Sequence, residues 1–262
     1  MSNTGKELLK TLGLFTLGVA FGYVPMFLCF SEDYDTFSWS GFGGSLIAVI
    51  FFLATRYVSL SPGLIERRNL WQLIGLIVLV VLSDVTWQVA IYELPCYQNL
   101  FPEEYVEDFN ADMQMNLPLY LDFCLLGPIM EEFAFRGVLL GGLLRMRCHP
   151  WLAILLSAIV FSAFHMSPIT FLGITVSGVV YGWLFWRTKS LLPSIIAHLI
   201  NNTIAGVGTF LNDYYADPYE EEYTLSVETI VILIAVGIPL LFFALYRINK
   251  LIPKNKISEN IY

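Results

Sequence analysis

The chain alternates between long apolar stretches and short polar segments from one end to the other. A helix that crosses a bilayer needs about 20 predominantly apolar residues, and stretches of roughly that length recur along the sequence. This pattern predicts an all-α protein, a polytopic membrane helix bundle of about eight transmembrane helices. The predicted spans lie near residues 11–30, 42–60, 70–92, 116–144, 151–167, 169–187, 190–208 and 227–247.

Composition supports a single integral membrane domain over residues 1–262. The chain is 56% hydrophobic and only 14% charged, whereas about a quarter of the residues in soluble domains are charged. The net charge of −8 argues against a nucleic-acid partner, so we expect membrane lipid and no nucleic acid around this protein. Lys6 and Lys10 precede the first apolar stretch, but no cleavage site of small residues follows, and we interpret it as a retained span.

Basic residues fall on one side of the membrane if the eight spans alternate in direction. Acidic segments at 31–35, 103–112 and 213–222 fall on the other side. The positive-inside rule then places both termini in the cytoplasm, and we expect a multi-pass protein of a prokaryotic plasma membrane. Apart from Arg136, the basic residues are Lys6, Lys10, Arg56, Arg67, Arg68, Arg145, Arg147, Arg187, Lys189, Arg247, Lys250, Lys254 and Lys256.

Two adjacent carboxylates interrupt the fourth apolar stretch. A charged side chain at the centre of a membrane helix costs about 2.5–3.5 kcal/mol on insertion scales, so such residues are functional candidates. Glu132 and Arg136 are four residues apart and share a helix face, so we expect them to form a buried pair. Glu131 points about 100° away from that pair and is free to face a wet cavity as a general base.

Three further polar residues lie in downstream apolar stretches. His165 lies near the end of the fifth stretch, and His198 and Asn202 share one face of the seventh. An imidazole and an amide side by side are suitable donors to an oxyanion, but His and Asn also serve as interhelical hydrogen-bonding residues in membranes. For each of these residues alone, both interpretations stay open.

The polar residues form three ordered motifs that resemble a known family. The motifs are EExxxR at Glu131–Arg136, FxxxH at Phe161–His165 and HxxxN at His198–Asn202. Their order and spacing resemble the CAAX-processing and bacteriocin-immunity (Abi) family of intramembrane proteases, which includes the type II CAAX prenyl endopeptidases. The resemblance covers a protease-like core at about residues 116–205.

The resemblance implies hydrolysis of a peptide bond within the bilayer. Glu131 would activate the attacking water, with His165 helping to hold or deprotonate it. His198 and Asn202 would stabilise the tetrahedral oxyanion. The substrate would be a membrane-associated or prenylated protein or peptide.

The resemblance also bears on the supporting residues and on metal. Glu132 and Arg136 would fix the helix that presents Glu131. Glu131, His165 and His198 could together bind zinc, since one carboxylate and two imidazoles form known zinc sites. If Glu131 were a zinc ligand, another base would be needed. We therefore favour a glutamate mechanism without metal or other cofactor.

Two alternatives to the protease stay open. The first is a non-enzymatic membrane immunity or partner protein, although the presence of both Glu131 and His165 counts against it. The second is a proton-coupled transporter that uses Glu131 and Asp84, although the chain shows no internal repeat. Gly137 with Gly141, and Gly178 with Gly182, have the small-residue spacing that permits close helix contact. The oligomeric state stays open.

Overall fold

The computed structural model describes residues 3–29, 33–58, 60, 61, 63, 64, 66–103, 105, 115–215 and 225–252. These residues form helices and no strands. The long helices are α1 (Asn3–Leu28), α2 (Tyr34–Thr55), α3 (Leu70–Tyr92), α4 (residues 117–145), α5 (Pro150–Ala163), α6 (Phe171–Thr188), α7 (Leu192–Tyr215) and α8 (Val227–Leu251). A short turn of helix, Pro95–Gln98, follows α3.

Helix α4 is not a uniform α-helix. It contains two π-helical segments, in which backbone hydrogen bonds join residue i to residue i+5. The α-helical parts are Leu117–Leu121, Gly127–Glu131 and Gly141–Arg145, and the π-helical parts are Asp122–Leu126 and Glu132–Leu140. Such segments often mark functional sites, and the longer one here begins at Glu132.

A helical membrane bundle is confirmed, and eight is an approximate count of its spans. Five helices in the described part of the chain are long and apolar enough to cross a membrane, and α5 is apolar but shorter. The five are Asn3–Leu28, Tyr34–Thr55, Leu70–Tyr92, Leu192–Leu211 and Val227–Leu251. Helix α5 ends before the predicted limit of 167, because Met166 adopts a left-handed φ of 51° and Pro168 cannot continue the helix.

Contacts between helix ends agree with spans that alternate in direction. Glu7 near the start of α1 pairs with Arg145 at the end of α4 (2.6 Å) and accepts a hydrogen bond from Tyr57 just after α2 (2.5 Å). At the other end of the bundle, Asn116 before α4 donates to Asp35 at the start of α2 (2.7 Å). The acidic segments at 103–112 and 213–222 lie mostly outside the described residues, as do Lys254 and Lys256.

Helix α4 lies in the middle of the bundle. It is packed by α1, α2, α5 and α7, and a second group of helices, α3, α6, α7 and α8, packs beside it. Nearly every side chain of its second π-helical segment is buried. The central position of α4 brings Glu131 and Glu132 within reach of side chains from several other helices.

Small residues let neighbouring helices approach closely. A Cβ on Gly178 would lie 3.0 Å from Ala158, and one on Gly182 would lie 3.2 Å from Ile154, so this pair packs α6 against α5 within the chain. A Cβ on Gly22 would lie 2.9 Å from the Met130 side chain. The glycine at position 22 therefore allows α1 to approach α4 next to Glu131.

Candidate active site

The predicted pair between Glu132 and Arg136 forms. The Arg136 Nη1 atom lies 2.9 Å from Glu132 Oε1, and neither side chain is exposed. Arg136 also donates from Nη2 to the carbonyl of Gly178 on α6 (3.3 Å), and its guanidinium lies 4.2 Å from the centre of the Phe161 ring on α5. The pair is thus held by three helices, and removing either partner would leave a buried charge uncompensated.

His198 of α7 bridges the two glutamates. Its Nδ1 atom lies 3.1 Å from Glu132 Oε1, and its Nε2 atom lies 3.6 Å from Glu131 Oε2. The ring packs between Phe161 and Tyr181, with ring centres 5.6 and 5.2 Å away, and the residue is almost completely buried. Both ring nitrogens therefore face carboxylates, and the ring cannot rotate freely.

Glu131 has a partner that the sequence did not predict. The Tyr23 hydroxyl of α1 donates a hydrogen bond of 2.7 Å to Glu131 Oε1. Tyr23 belongs to none of the three motifs, and a tyrosine in an apolar span is common enough to give no signal by itself. The result is a continuous polar chain from Arg136 through Glu132, His198 and Glu131 to Tyr23.

A cavity of about 640 Å³ reaches Glu131. Glu131, Tyr23 and His165 are the lining residues with polar side chains. The rest of the lining is mainly apolar and comes from α1 and from the end of α5: Val19, Ala20, Val24, Met26, Phe27, Ala163, Phe164 and Met166. The Glu131 side chain is 14% exposed, whereas that of Glu132 is completely buried. Of these two adjacent carboxylates, Glu131 is the one that meets the cavity.

His165 lies just beyond the end of α5 and shares this cavity with Glu131. Its Nδ1 atom lies 3.0 Å from the Phe161 carbonyl, which accepts if that nitrogen carries the hydrogen. Its ring packs edge-on against Phe161 at 4.8 Å. In this tautomer Nε2 has a lone pair and can accept a hydrogen from a water molecule in the cavity.

Asn202 contacts α4 further from Glu131. Its amide Nδ2 donates to the carbonyl of Phe123 (2.9 Å), in the first π-helical segment, and Cys124 Sγ lies 3.6 Å from the Asn202 carbonyl. One amide hydrogen therefore holds α7 to α4, and the second is left for another acceptor. The oxyanion role of Asn202 stays a prediction.

The three residues that could together have bound zinc do not converge in this arrangement. Both nitrogens of His198 face glutamates, and Nδ1 of His165 faces a backbone carbonyl. Over the ranges that the structure describes, no group of three or more His, Cys, Asp or Glu side chains is placed to hold a metal ion. Glu131, His165 and His198 as placed therefore do not fit a zinc site, and a reaction without cofactor stays a prediction.

Asp84 of α3 is held apart from this network by neutral donors. Ser177 of α6 donates to its Oδ2 atom (2.5 Å), and the Trp87 indole donates to its Oδ1 atom (2.9 Å). Asp84 is buried, and its hydrogen bond to Ser177 joins α3 to α6. The partners of Asp84 thus include hydroxyl and indole groups, and in the described part of the chain no ion pair joins it to Arg136 or a histidine.

Comparison with known proteins agrees with the resemblance seen in the motifs. Residues 113–204, about a third of the chain, match the family described as "Type II CAAX prenyl endopeptidase Rce1-like". A segment of 79 residues is 34% identical to the "Putative membrane peptidase YdiL" of Bacillus subtilis (strain 168). That segment covers 30% of this chain and 32% of the relative's length. No solved structure matches the chain.

The matched residues coincide with the helices that carry the site. They include α4, α5, α6 and the part of α7 that bears His198 and Asn202. Helices α1, α2, α3 and α8 lie outside the match, and Tyr23 is on the first of these. The chain is an integral membrane protein whose residues 113–204 match the Rce1-like type II CAAX prenyl endopeptidase family.

Proposed function

We propose that this protein is an intramembrane endopeptidase in which Glu131 activates water to hydrolyse a peptide bond. One observation carries the proposal: two adjacent carboxylates have opposite surroundings. Glu132 is buried and paired with Arg136, whereas Glu131 reaches a cavity of about 640 Å³ that also contains His165. A carboxylate with access to water beside an imidazole is the arrangement that general-base hydrolysis requires.

The chemical step uses the two oxygens of Glu131 differently. Oε1 accepts the Tyr23 hydrogen bond, and Oε2 is the oxygen that takes a proton from water. The water oxygen bonds to the carbonyl carbon of the substrate, and the carbonyl oxygen becomes a tetrahedral oxyanion. The proton held by Glu131 then passes to the leaving amine as the carbon–nitrogen bond breaks. His165, on the cavity wall, orients the water through Nε2.

We assign stabilisation of the oxyanion to His198, which can do so only when Nε2 carries a hydrogen. Arg136 favours ionised Glu132, which accepts a hydrogen bond from His198 Nδ1. In a neutral imidazole the other nitrogen, Nε2, would be an acceptor and could not donate to an oxyanion. A hydrogen on Nε2 as well as on Nδ1 would let the ring donate to the oxyanion while it stays hydrogen-bonded to Glu132. The remaining amide hydrogen of Asn202 supplies a second donor on the same helix face.

The cavity favours a membrane-associated or lipidated protein or peptide as substrate. Apart from Glu131, Tyr23 and His165, its lining is mainly apolar, and a chain with apolar side groups or a lipid would bury them there. We further propose that both termini lie in the cytoplasm of a prokaryote, since the basic residues fall on one side of alternating spans.

A comparison of membrane and secreted peptides tests this function. Native-host cells would express the wild-type protein, Glu131→Gln or Glu103→Gln. The last variant is the control, because Glu103 is exposed and lies outside the bundle. We expect peptides with new termini in wild-type and Glu103→Gln cells and their absence with Glu131→Gln. The same peptides in all three strains would contradict proteolysis and favour the non-enzymatic immunity or partner function.

A further inference from the structure

A second cavity lies between α5, α6 and α8. It is a groove of about 760 Å³ whose lining is aliphatic and aromatic over most of its surface. Leu155 of α5, Val179 of α6 and Leu241 of α8 are typical of the lining. None of the residues assigned to the candidate active site lines this groove. It is therefore a separate feature that the proposed proteolysis does not explain.

Arg187 closes one end of this groove. Its Nε atom donates to the Asn249 side chain of α8, and its Nη2 atom donates to the Asn249 carbonyl (3.3 Å). Its Nη1 atom is buried and has no hydrogen-bond partner among the described residues. A buried cationic donor without an acceptor is costly, so the site calls for an anionic or polar acceptor at this position.

Three more cations lie close in sequence to the residues at this end of the groove. Lys189 lies 6.0 Å from the Trp186 ring, Arg247 lies 5.7 Å from the Phe243 ring, and Lys250 lies 5.2 Å from the Tyr246 ring. No acidic side chain lines the groove in the part of the chain that the structure describes. Burial and the neighbouring Arg187 charge lower the pKa of Lys189 to about 8, so an anion beside them would relieve the repulsion.

Aromatic side chains mark this end of the groove as the level of the lipid headgroups. The rings of Trp151 and Trp186 lie 6.0 Å apart, and Trp151, Trp183, Trp186 and Tyr246 all line the groove. Tryptophan and tyrosine concentrate at the boundary between the hydrocarbon and the polar region of a bilayer. The apolar length of the groove then lies at the depth of the acyl chains, and the cations lie at the depth of the phosphates.

We propose that this groove binds one anionic glycerophospholipid, with its phosphate on Arg187 and an acyl chain along α6. Charge complementarity selects this occupant, because four cations at the headgroup level attract a lipid that carries net negative charge. A zwitterionic lipid fills the apolar length equally well but brings no net charge to the cations. The proposal does not depend on peptidase activity.

Lipid binding to the purified full-length chain tests this site. Native mass spectrometry would compare the wild-type protein with Arg187→Gln in micelles that contain phosphatidylglycerol or phosphatidylcholine of the same acyl composition. We expect the wild-type protein to retain phosphatidylglycerol preferentially and Arg187→Gln to reduce that preference about fivefold. Arg56→Gln, at the end of α2 and away from the groove, is the matched control and should keep the wild-type preference.

A second variant and two further conditions keep the test decisive. Lys189→Gln with Lys250→Gln leaves the Arg187–Asn249 contact intact, so it should fold and still lose part of the preference. Equal retention of both lipids by the wild-type protein would overturn the proposal. So would a rise in the Tm of the wild-type protein with inorganic phosphate that equals its rise with phosphatidylglycerol. The proposal would also be overturned if the delipidated wild-type protein formed a dimer and Leu245→Arg dissociated it. That result would place a second copy of the chain in the groove.

Discussion

Tyr23 of α1 donates a hydrogen bond of 2.7 Å to Glu131 of α4. The two residues are far apart in sequence, and only Glu131 lies in the segment that matches the peptidase family. Gly22 allows this approach, because a larger side chain at that position would collide with Met130. The first helix therefore completes a site whose other polar residues all come from residues 113–204.

Loss of this hydrogen bond should slow the reaction without unfolding the protein. In Tyr23→Phe the cavity keeps its shape, but Glu131 loses a donor that holds Oε1 in place. A hydrogen bond to a charged group contributes about 1.5–3 kcal/mol, so we expect kcat to fall at least about tenfold with little change in KM. Steady-state kinetics on a cleaved peptide measures both.

Tyr57→Phe is the matched control for that experiment. Tyr57 makes the same kind of bond, from its hydroxyl to Glu7 Oε1 (2.5 Å), at the basic end of the bundle rather than beside the cavity. We expect kcat close to that of the wild-type protein. If the two variants lose the same fraction of kcat, Tyr23 acts through general stability and not by positioning Glu131.

The neighbouring carboxylate should behave in the opposite way. Glu132→Gln leaves Arg136 buried without a counter-charge, and breaking a buried pair from one side costs about 3–5 kcal/mol. We expect a large loss of thermal stability in detergent. Arg136→Met in the same chain should restore part of it, because the double variant leaves no unpaired charge. A double variant no more stable than Glu132→Gln alone would show that the pair is not coupled in this way.

Asn202 should affect both stability and rate. Asn202→Ala removes the donor to the partly buried Phe123 carbonyl, and the loss of a hydrogen bond costs about 0.5–1.5 kcal/mol. If the second amide hydrogen serves the oxyanion, the same variant also lowers kcat by about 10²–10³. Tm and turnover per folded molecule, measured on one preparation, separate the two effects. A lower Tm with unchanged turnover would assign Asn202 to helix packing alone.

The sequence predicted the helical membrane bundle and the Glu132–Arg136 pair because both depend on local patterns. Apolar stretches of spanning length are visible in the sequence, and residues four apart meet on any α-helix. The pair still meets although its backbone is π-helical, a feature that has no clear signal in sequence. His198 was predicted to act near Glu131, but its bridging of both glutamates depends on how α7 packs against α4.

Contacts between distant helices could not be predicted in the same way. Tyr23 and Asp84 show why: the partner of each is on another helix, and no spacing rule connects α1 to α4 or α3 to α6. The zinc interpretation had the same difficulty. Ligand types can be read from the sequence, but their convergence is a matter of tertiary packing.

Metal dependence is the next prediction. Because the three candidate ligands do not converge, we expect the purified protein to contain no stoichiometric zinc and to keep its activity in strong chelators. Elemental analysis and chelator titration measure the two properties. Inactivation by chelator that added zinc reverses would instead make Glu131 a ligand and require a different base.

The most direct test of the account is the cleavage rate of Glu131→Gln in proteoliposomes. Glutamine keeps the size of the side chain and can still accept the Tyr23 hydrogen bond, but it cannot take a proton from water. We predict a loss of about 10²–10⁴ in single-turnover rate, with a Tm close to that of the wild-type protein. Cleavage by Glu131→Gln at the wild-type rate would contradict the assignment of Glu131 as the general base.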